Sequence, residues 1–494
     1  MECLAMMGHE PPKEQKLICN FRLDKKIPED HLLRKLNKLL NLDFLYDMVK
    51  DKYGYKGNVS VPPPTLMKMM LLLILYNVRS ERELMATIPL RLDWLWFLGY
   101  DIDSKIPNHS VLSKARKRWG EESFRRVFEE IVMQAVKSGF VDSAKLFVDA
   151  SLIEANASRN AVKGLDALRL DEKYRELESR LTDRSFNGQF RHSKVNKEKI
   201  ITTDPDASIT KGQELSYKTH RTVDGKHEII TSCETTTGIR NEGQLIEKQI
   251  EQHEGITGMK AETIIADSQY GTNHNLSSLK KKGYTPHIRD WSATHKTSGF
   301  REGVFEKSQF EYDREKDMYR CPAGKPLHRR KIDFRKQVKT YRASTGHCNH
   351  CPLKAQCTRG KGGRTLTRSF DEPILEQAFK DTRSEACRQD LKLRQHLMER
   401  SYANGIRYGY KHARWRGLWR VSIQQLLVAT VQNLVKMASL MEQNPIPSAF
   451  SRYFRNLYLV FRSLKPGNAI SHPTGQIYRI RSLQFNHSCD CVNV

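Results

Sequence analysis

No stretch of this chain is apolar for long enough to cross a bilayer. The longest candidate, Leu66–Tyr76, is interrupted by Lys68 and falls well short of the roughly 20 residues a spanning helix needs. Met1–Asn20 is mixed and carries charges throughout, unlike a secretory signal. Cysteine is sparse: ten in 494 residues make no disulfide scaffold, and in a reducing compartment a local group of them points to metal or free thiols. The expectation is a soluble intracellular protein, cytoplasmic and associated with its partner. Acidic residues are the other shortage. There are 57 Asp and Glu against 83 Lys and Arg, a net charge of +26 and a pI near 9.6. That surplus favours a polyanionic partner, nucleic acid first, over a membrane or a small-molecule substrate. The cations are spread along the chain, which suits a basic groove better than a basic tail.

What is present falls into blocks, and the length allows two or three domains. Residues 1–30 are polar and read as a partly ordered N-terminal segment. Residues 31–140 read as a helical DNA-binding domain. His31–Leu40 spaces its apolar residues three and four apart, Pro62-Pro63-Pro64 followed by Thr65 marks a break and a candidate cap, and Leu66–Tyr76 and Ser80–Thr87 follow as helices. Trp94, Trp96 and Phe97 read as packing residues. Asn108-His109-Ser110 opens a helix carrying Lys114, Arg116, Lys117 and Arg118, and Phe124–Ser138 makes the next. The basic helix is either a DNA-contacting element, as in a helix-turn-helix variant, or a solvated charged face.

From Lys145 the texture changes to strands. Leu146-Phe147-Val148 runs straight into Asp149, and Thr263-Ile264-Ile265-Ala266 into Asp267. Each is a short apolar run that delivers an acid to a strand end. Either acid alone can be a turn cap, whereas two of them at one sheet end suggest chemistry. Between them lie a charged helical piece (Leu165–Leu181), a turn at Thr203–Ala207, strands at Leu215–Val223 and Glu228–Thr235 joined through Asp224-Gly225-Lys226, and a helix at Glu242–His253. A helix at Asn275–Lys282 and a strand at Thr285–Arg289 follow. Three strands, then alternating helix and strand, describe a mixed α/β (α+β) sheet with flanking helices, the ribonuclease-H-like order. Residues 141–291 are thus the first part of a catalytic domain and 386–444 its helical last part. Residues 292–385 form a basic, turn-rich insertion with Cys321, Cys348, Cys351 and Cys357, and residues 445–494 a tail without clear organisation.

The third acid that such a sheet needs is expected on a late helix. Glu399 is the candidate, followed by a dense run of cations: Arg407, Lys411, Arg414, Arg416 and Arg420. Three carboxylates offer hard oxygen ligands to two Mg²⁺ or Mn²⁺ ions, which suits phosphoryl chemistry on DNA. Asp204 and Asp206, beside a proline, read as caps in preference to metal ligands. His220 is as suited to the core as to a phosphate, and Glu154 and Glu234 are further acids with nothing to place them. Cys348-x-x-Cys351 is a knuckle that Cys321 and Cys357 can complete as a structural Zn²⁺ site, with His347 and His350 as alternative ligands. Free buried thiols are the other reading. Cys489-x-Cys491 is a weak metal signal.

In order, the strings Phe147-Val148-Asp149-Ala150-Ser151, Asp204-Pro205-Asp206-Ala207, Tyr217-Lys218-Thr219-His220, Ala266-Asp267-Ser268-Gln269-Tyr270-Gly271, the Glu399 segment, Arg414-Trp415-Arg416-Gly417-Leu418 and Gln432-Asn433-Leu434 resemble the DDE transposases of bacterial insertion sequences, over roughly residues 20–440. The subgroup resembled has a helical N-terminal domain and a Cys-bearing insertion. The resemblance implies a catalytic triad at Asp149, Asp267 and Glu399, divalent metal, DNA ends and target as partners, and a dimer or larger assembly on DNA. Where family members carry Tyr and Arg before the Glu and a Lys after it, this chain has Lys392, Gln395 and Ile406, with Arg394 and Arg407 adjacent. The alternatives are another ribonuclease-H-like nuclease or resolvase, and an inactive DNA-binding derivative of a transposase.

Overall fold

The apolar run at Leu66 becomes a helix buried on every side, Pro63–Leu75, around which the N-terminal helices pack. It starts three residues earlier than a cap at Thr65 would make it, because proline suits the first turn, where no N–H partner exists to lose. Lys68, the interruption, is carried out of the core by its long stem and donates to the Phe97 carbonyl (3.0 Å) and to Asn37 Oδ1 (2.8 Å). Trp94 and Phe97 are core residues, and Trp96 stacks under the Arg34 guanidinium. The two helices expected around Arg116 and Phe124 adjoin within Ser110–Lys137 and are separated by a kink at Gly120, whose φ of 74° only glycine adopts without strain. The structure is a computed structural model that describes residues 22–54, 59–164, 194–210, 214–289, 303–334 and 336–443. The Leu165–Leu181 helix, the tail after 445 and the Cys489/Cys491 pair lie outside these residues.

The main sheet has six strands. Lys145–Glu154 is central, pairing antiparallel with Leu215–Asp224 on one side and parallel with Thr263–Ala266 on the other, beyond which lies Thr285–Ile288. Ile230–Thr237 and the two-residue Ser208–Ile209 both pair with Leu215–Asp224. Leu146, Phe147 and Val148 are all buried, as a strand covered on both faces requires. Leu146, Val148, Ile264 and Ile288 join Ile250, Leu276 and Leu279 from two covering helices in one core cluster. The order and relative directions of these strands, with the helices between them, give the ribonuclease-H-like α/β arrangement expected from the sequence.

A second, wholly antiparallel sheet of five short strands fills the insertion, in the order Thr365–Ser369, Val338–Ala343, Pro326–Asp333, Met318–Arg320, Glu311–Asp313. Its core is small, built on Phe310, Tyr319, Leu327, Tyr341 and Leu366. The helix Glu372–Thr382 carries an apolar stripe, and its Leu375 and Ala378 belong to the core of the main sheet. Two long helices follow, Glu385–Ile406 and Leu418–Gln443.

Asp204 and Asp206 are caps, but of a distant element. Asp204 accepts from the Gly417 N–H (2.9 Å) and the Tyr217 hydroxyl (2.5 Å), and Asp206 from the Leu418 N–H (2.7 Å). They satisfy the otherwise orphaned first turn of the Leu418–Gln443 helix, 26 residues long. His220 is fully buried against Thr236 Oγ1, and burial lowers its pKa to about 3, so it is a neutral core residue. Glu234 is held by Arg125, Lys248 and Gln252, and Glu154 pairs with His412.

Candidate active site and nucleic-acid interface

Register alone brings the two strand-end acids together. Phe147 pairs with Ile265 across adjacent parallel strands, so Asp149 and Asp267, each two residues further on, come level at the same sheet end. A third carboxylate joins them: oxygens of Asp149, Glu242 and Asp267 all lie within 4.8 Å of one another. Glu242 stands in the turn after the Ile230–Thr237 strand, and a glycine explains its position. A Cβ on Gly243 would meet the Gln269 carbonyl at 3.0 Å, a tight contact, so glycine eases the approach of this turn to the Asp267–Tyr270 turn. Asn275 Nδ2 then ties the two, donating to the carbonyls of both Gly243 (2.9 Å) and Tyr270 (3.0 Å).

Three acids at this spacing repel one another, and two cations offset them. Lys218 donates to Glu242 (2.9 Å), and the Arg394 guanidinium lies 3.2 Å from Asp149. Burial still pushes the Asp149 carboxyl up to about 6; Arg394 opposes that rise, and the neighbouring Asp267 and Glu242 add to it. Asp267 keeps one oxygen on the Gln269 N–H (2.8 Å), so it also fills the capping role that the sequence left open. Behind the cluster the Tyr270 hydroxyl is buried without a hydrogen-bond partner. Three hard oxygen donors, partly exposed and short of positive charge, fit a divalent cation such as Mg²⁺ or Mn²⁺.

Glu399 is not part of this cluster. Its helix turns Leu397, Met398 and Ser401 inward and holds Arg394 half-buried, which leaves Gln395 and Glu399 on the exposed side, hydrogen-bonded to each other at 3.1 Å. The structure therefore joins two of the three expected acids, with Glu242 in the third place. Glu242 carries no strand-end signature in the sequence; the one available hint is its Asn-Glu-Gly turn directly after a strand.

The basic residues named from two distant stretches converge. Lys114, Arg116 and Lys117 of the long N-terminal helix and Arg414 and Arg416 of the later segment line one cavity of about 540 Å³, with Arg420, Trp415 and Trp419. They do not all face it as free cations. Arg116 is buried, paired with Glu81 and stacked 3.9 Å above the Trp415 ring. Arg414 donates to the Val78 carbonyl (2.5 Å) and to Asn77 Oδ1. These two bind the helical block to the catalytic domain, while Lys114, Lys117, Arg416 and Arg420 stay exposed. Arg118, Arg407 and Lys411 are not among the lining residues: Arg118 covers the Tyr53 ring, Arg407 ends its helix exposed, and Lys411 donates to the Leu152 carbonyl.

A ribonuclease-H-like sheet with clustered acids at one strand end and a basic cavity defines an enzyme class that acts on nucleic-acid phosphodiesters with divalent metal. Two family models narrow the class. Residues 21–118 match a transposase domain (DUF772), and residues 320–438 match a transposase DDE domain. These matches support a DDE transposase that acts on DNA. Among solved structures, the cryo-EM structure of a piggyBac transposase synaptic complex with hairpin DNA aligns over 89% of this chain and 87% of that one, at 9% identity and a TM-score of 0.26, a likeness too faint to carry any conclusion. None of the curated proteins matches the chain. Among the described residues, no helix is long and apolar enough to cross a membrane.

Proposed function

We propose that this transposase cleaves DNA at the ends of its element and joins the freed 3′-hydroxyl to target DNA, with the Asp149–Glu242–Asp267 cluster holding the catalytic metal. The observation that carries the reading is the mutual approach of the three carboxylates to within 4.8 Å at the end of parallel strands. Mg²⁺ or Mn²⁺ bound there, as two ions, lowers the pKa of the attacking water or hydroxyl and stabilises the leaving oxygen. The chain supplies the rest. Asp149 and Asp267, fixed by strand register, orient the ligand oxygens, and Glu242 closes the set from the turn that Gly243 lets in. Arg394 and Lys218 offset the charge of Asp149 and Glu242 and hold these side chains in place. Lys114, Lys117, Arg416 and Arg420 hold the DNA backbone in the basic cavity, and paired element ends call for a dimer or larger assembly.

A second reading keeps Glu399 as the third acid. Two observations favour it: Glu399 shares a helix with Arg394, which already touches Asp149, and it lies within the residues matched by the DDE domain, as Glu242 does not. Incubating the protein with Mg²⁺ and duplexes bearing the element's ends tests the reading. Joined products are expected; cut but unjoined DNA would mean a nuclease, and no reaction an inactive DNA-binding derivative.

A further inference from the structure

We propose that Cys321, Cys348, Cys351 and Cys357 bind one Zn²⁺ as a closed, structural four-thiolate site, separate from the catalytic acids. The four come from three places in the insertion. Cys321 begins the turn between the strands Met318–Arg320 and Pro326–Asp333, Cys348 and Cys351 flank the end of the helix Thr345–Asn349, and Cys357 ends the helix Lys354–Cys357. All four line one small cavity, about 20 Å³, and none of them is in a disulfide. That volume suits a single ion or water.

The backbone around the first cysteine is arranged for a charged sulfur. Gly324, at φ 71°, folds the turn so that the Lys325 N–H donates to Cys321 Sγ at 3.3 Å. A neutral thiol is a weak acceptor, whereas a metal-bound thiolate is stabilised by such bonds. The charge balance agrees. Four thiolates around a divalent ion leave a net charge of −2, and Lys325, Lys354 and Arg364 line the same cavity. Arg364 is fixed there by the carbonyls of Cys357 (2.7 Å) and Phe305 (2.8 Å). His350 is turned away, its Nδ1 2.9 Å from the Gly346 carbonyl, while His347 lines the cavity beside the four cysteines. Four soft sulfur ligands would select zinc over the hard cations that suit the acid cluster. The ion would staple the segment between the strands Val338–Ala343 and Thr365–Ser369 to the Cys321 turn, in a sheet whose core is too small to hold that segment alone.

The test is metal analysis of the intact chain, purified without a histidine tag. One zinc per chain is expected by elemental analysis. The Cys348→Ser/Cys351→Ser double variant should lose it, while Cys387→Ala, at a buried cysteine away from the cavity, should keep it. Should the double variant fail to fold, Co²⁺ exchanged into the wild-type chain gives the second measurement: an intense thiolate-to-cobalt absorption with tetrahedral d–d bands is expected. Zinc-free protein without that cobalt signature, a disulfide between any two of the four cysteines, or undiminished zinc in the double variant would overturn the proposal.

Discussion

The acid-lined end of the main sheet and the thiol-lined corner of the small one both gather like-charged ligands, and they differ in every respect that decides use. The first is made of hard oxygens on rigid strand ends and a close-packed turn, partly exposed, with Arg394 and Lys218 standing where an ion's charge is needed. The second is made of soft sulfurs on short turns and helices around a cavity for one atom. An open site with free coordination positions does chemistry; a closed one holds the fold together. The main sheet has a large two-sided core and needs no ion to stand, whereas the small sheet has few buried side chains of its own.

That contrast can be broken most forcefully from the sulfur side. Stripping zinc should melt the small sheet at a cost of several kcal/mol, read as an early transition in thermal unfolding. Chelating Mg²⁺ from the acid cluster should abolish catalysis and leave that transition in place. Equal effects on stability would erase the distinction.

The next largest effect separates the two candidates for the third acid. Glu242→Gln should cut end cleavage roughly a hundredfold or more, on the scale of losing a fixed electrostatic group in an active site, with little change in DNA affinity. Glu399→Gln should have the smaller effect. The reverse order would move the third ligand to the late helix and leave Glu242 as the partner of Lys218.

The smallest effect concerns the basic cavity. Lys117→Ala should weaken DNA binding uniformly and reduce the salt dependence by about one released counterion. Arg116→Ala should instead lower stability by about 3 kcal/mol or more, because it strands the Glu81 carboxylate in a buried site. Equal salt slopes for the two variants would show that both cations face DNA.

Much of this was legible in the sequence where the signal was local. An apolar run ending in an acid marks Asp149 and Asp267 as strand ends, and adjacent parallel strands then bring them level. Lys114 and Arg416 were named as DNA contacts for their density of charge, and the fold brings them to one cavity. What escaped was set by distant contacts. Glu242 enters the cluster because Gly243 permits a close approach to a turn nearly thirty residues on. Arg116 and Arg414 read as phosphate contacts because nothing nearby in sequence reveals Glu81 or Asn77 as their partners. Asp204 and Asp206 read as caps, but nothing local shows what they cap, and the helix in question begins more than two hundred residues later. Glu399 lies on the late helix expected for it, on the exposed face that it shares with its i, i+4 partner Gln395.

The central claim, that the acid cluster holds the metal, is tested most directly by calorimetric titration of Mn²⁺ into the zinc-loaded protein at neutral pH, comparing the wild type with Asp149→Asn and Asp267→Asn. The account predicts saturable binding in the wild type that weakens below about pH 6, where Asp149 takes up a proton, and loss of that binding in both variants. Mn²⁺ binding that survives unchanged in both would contradict it.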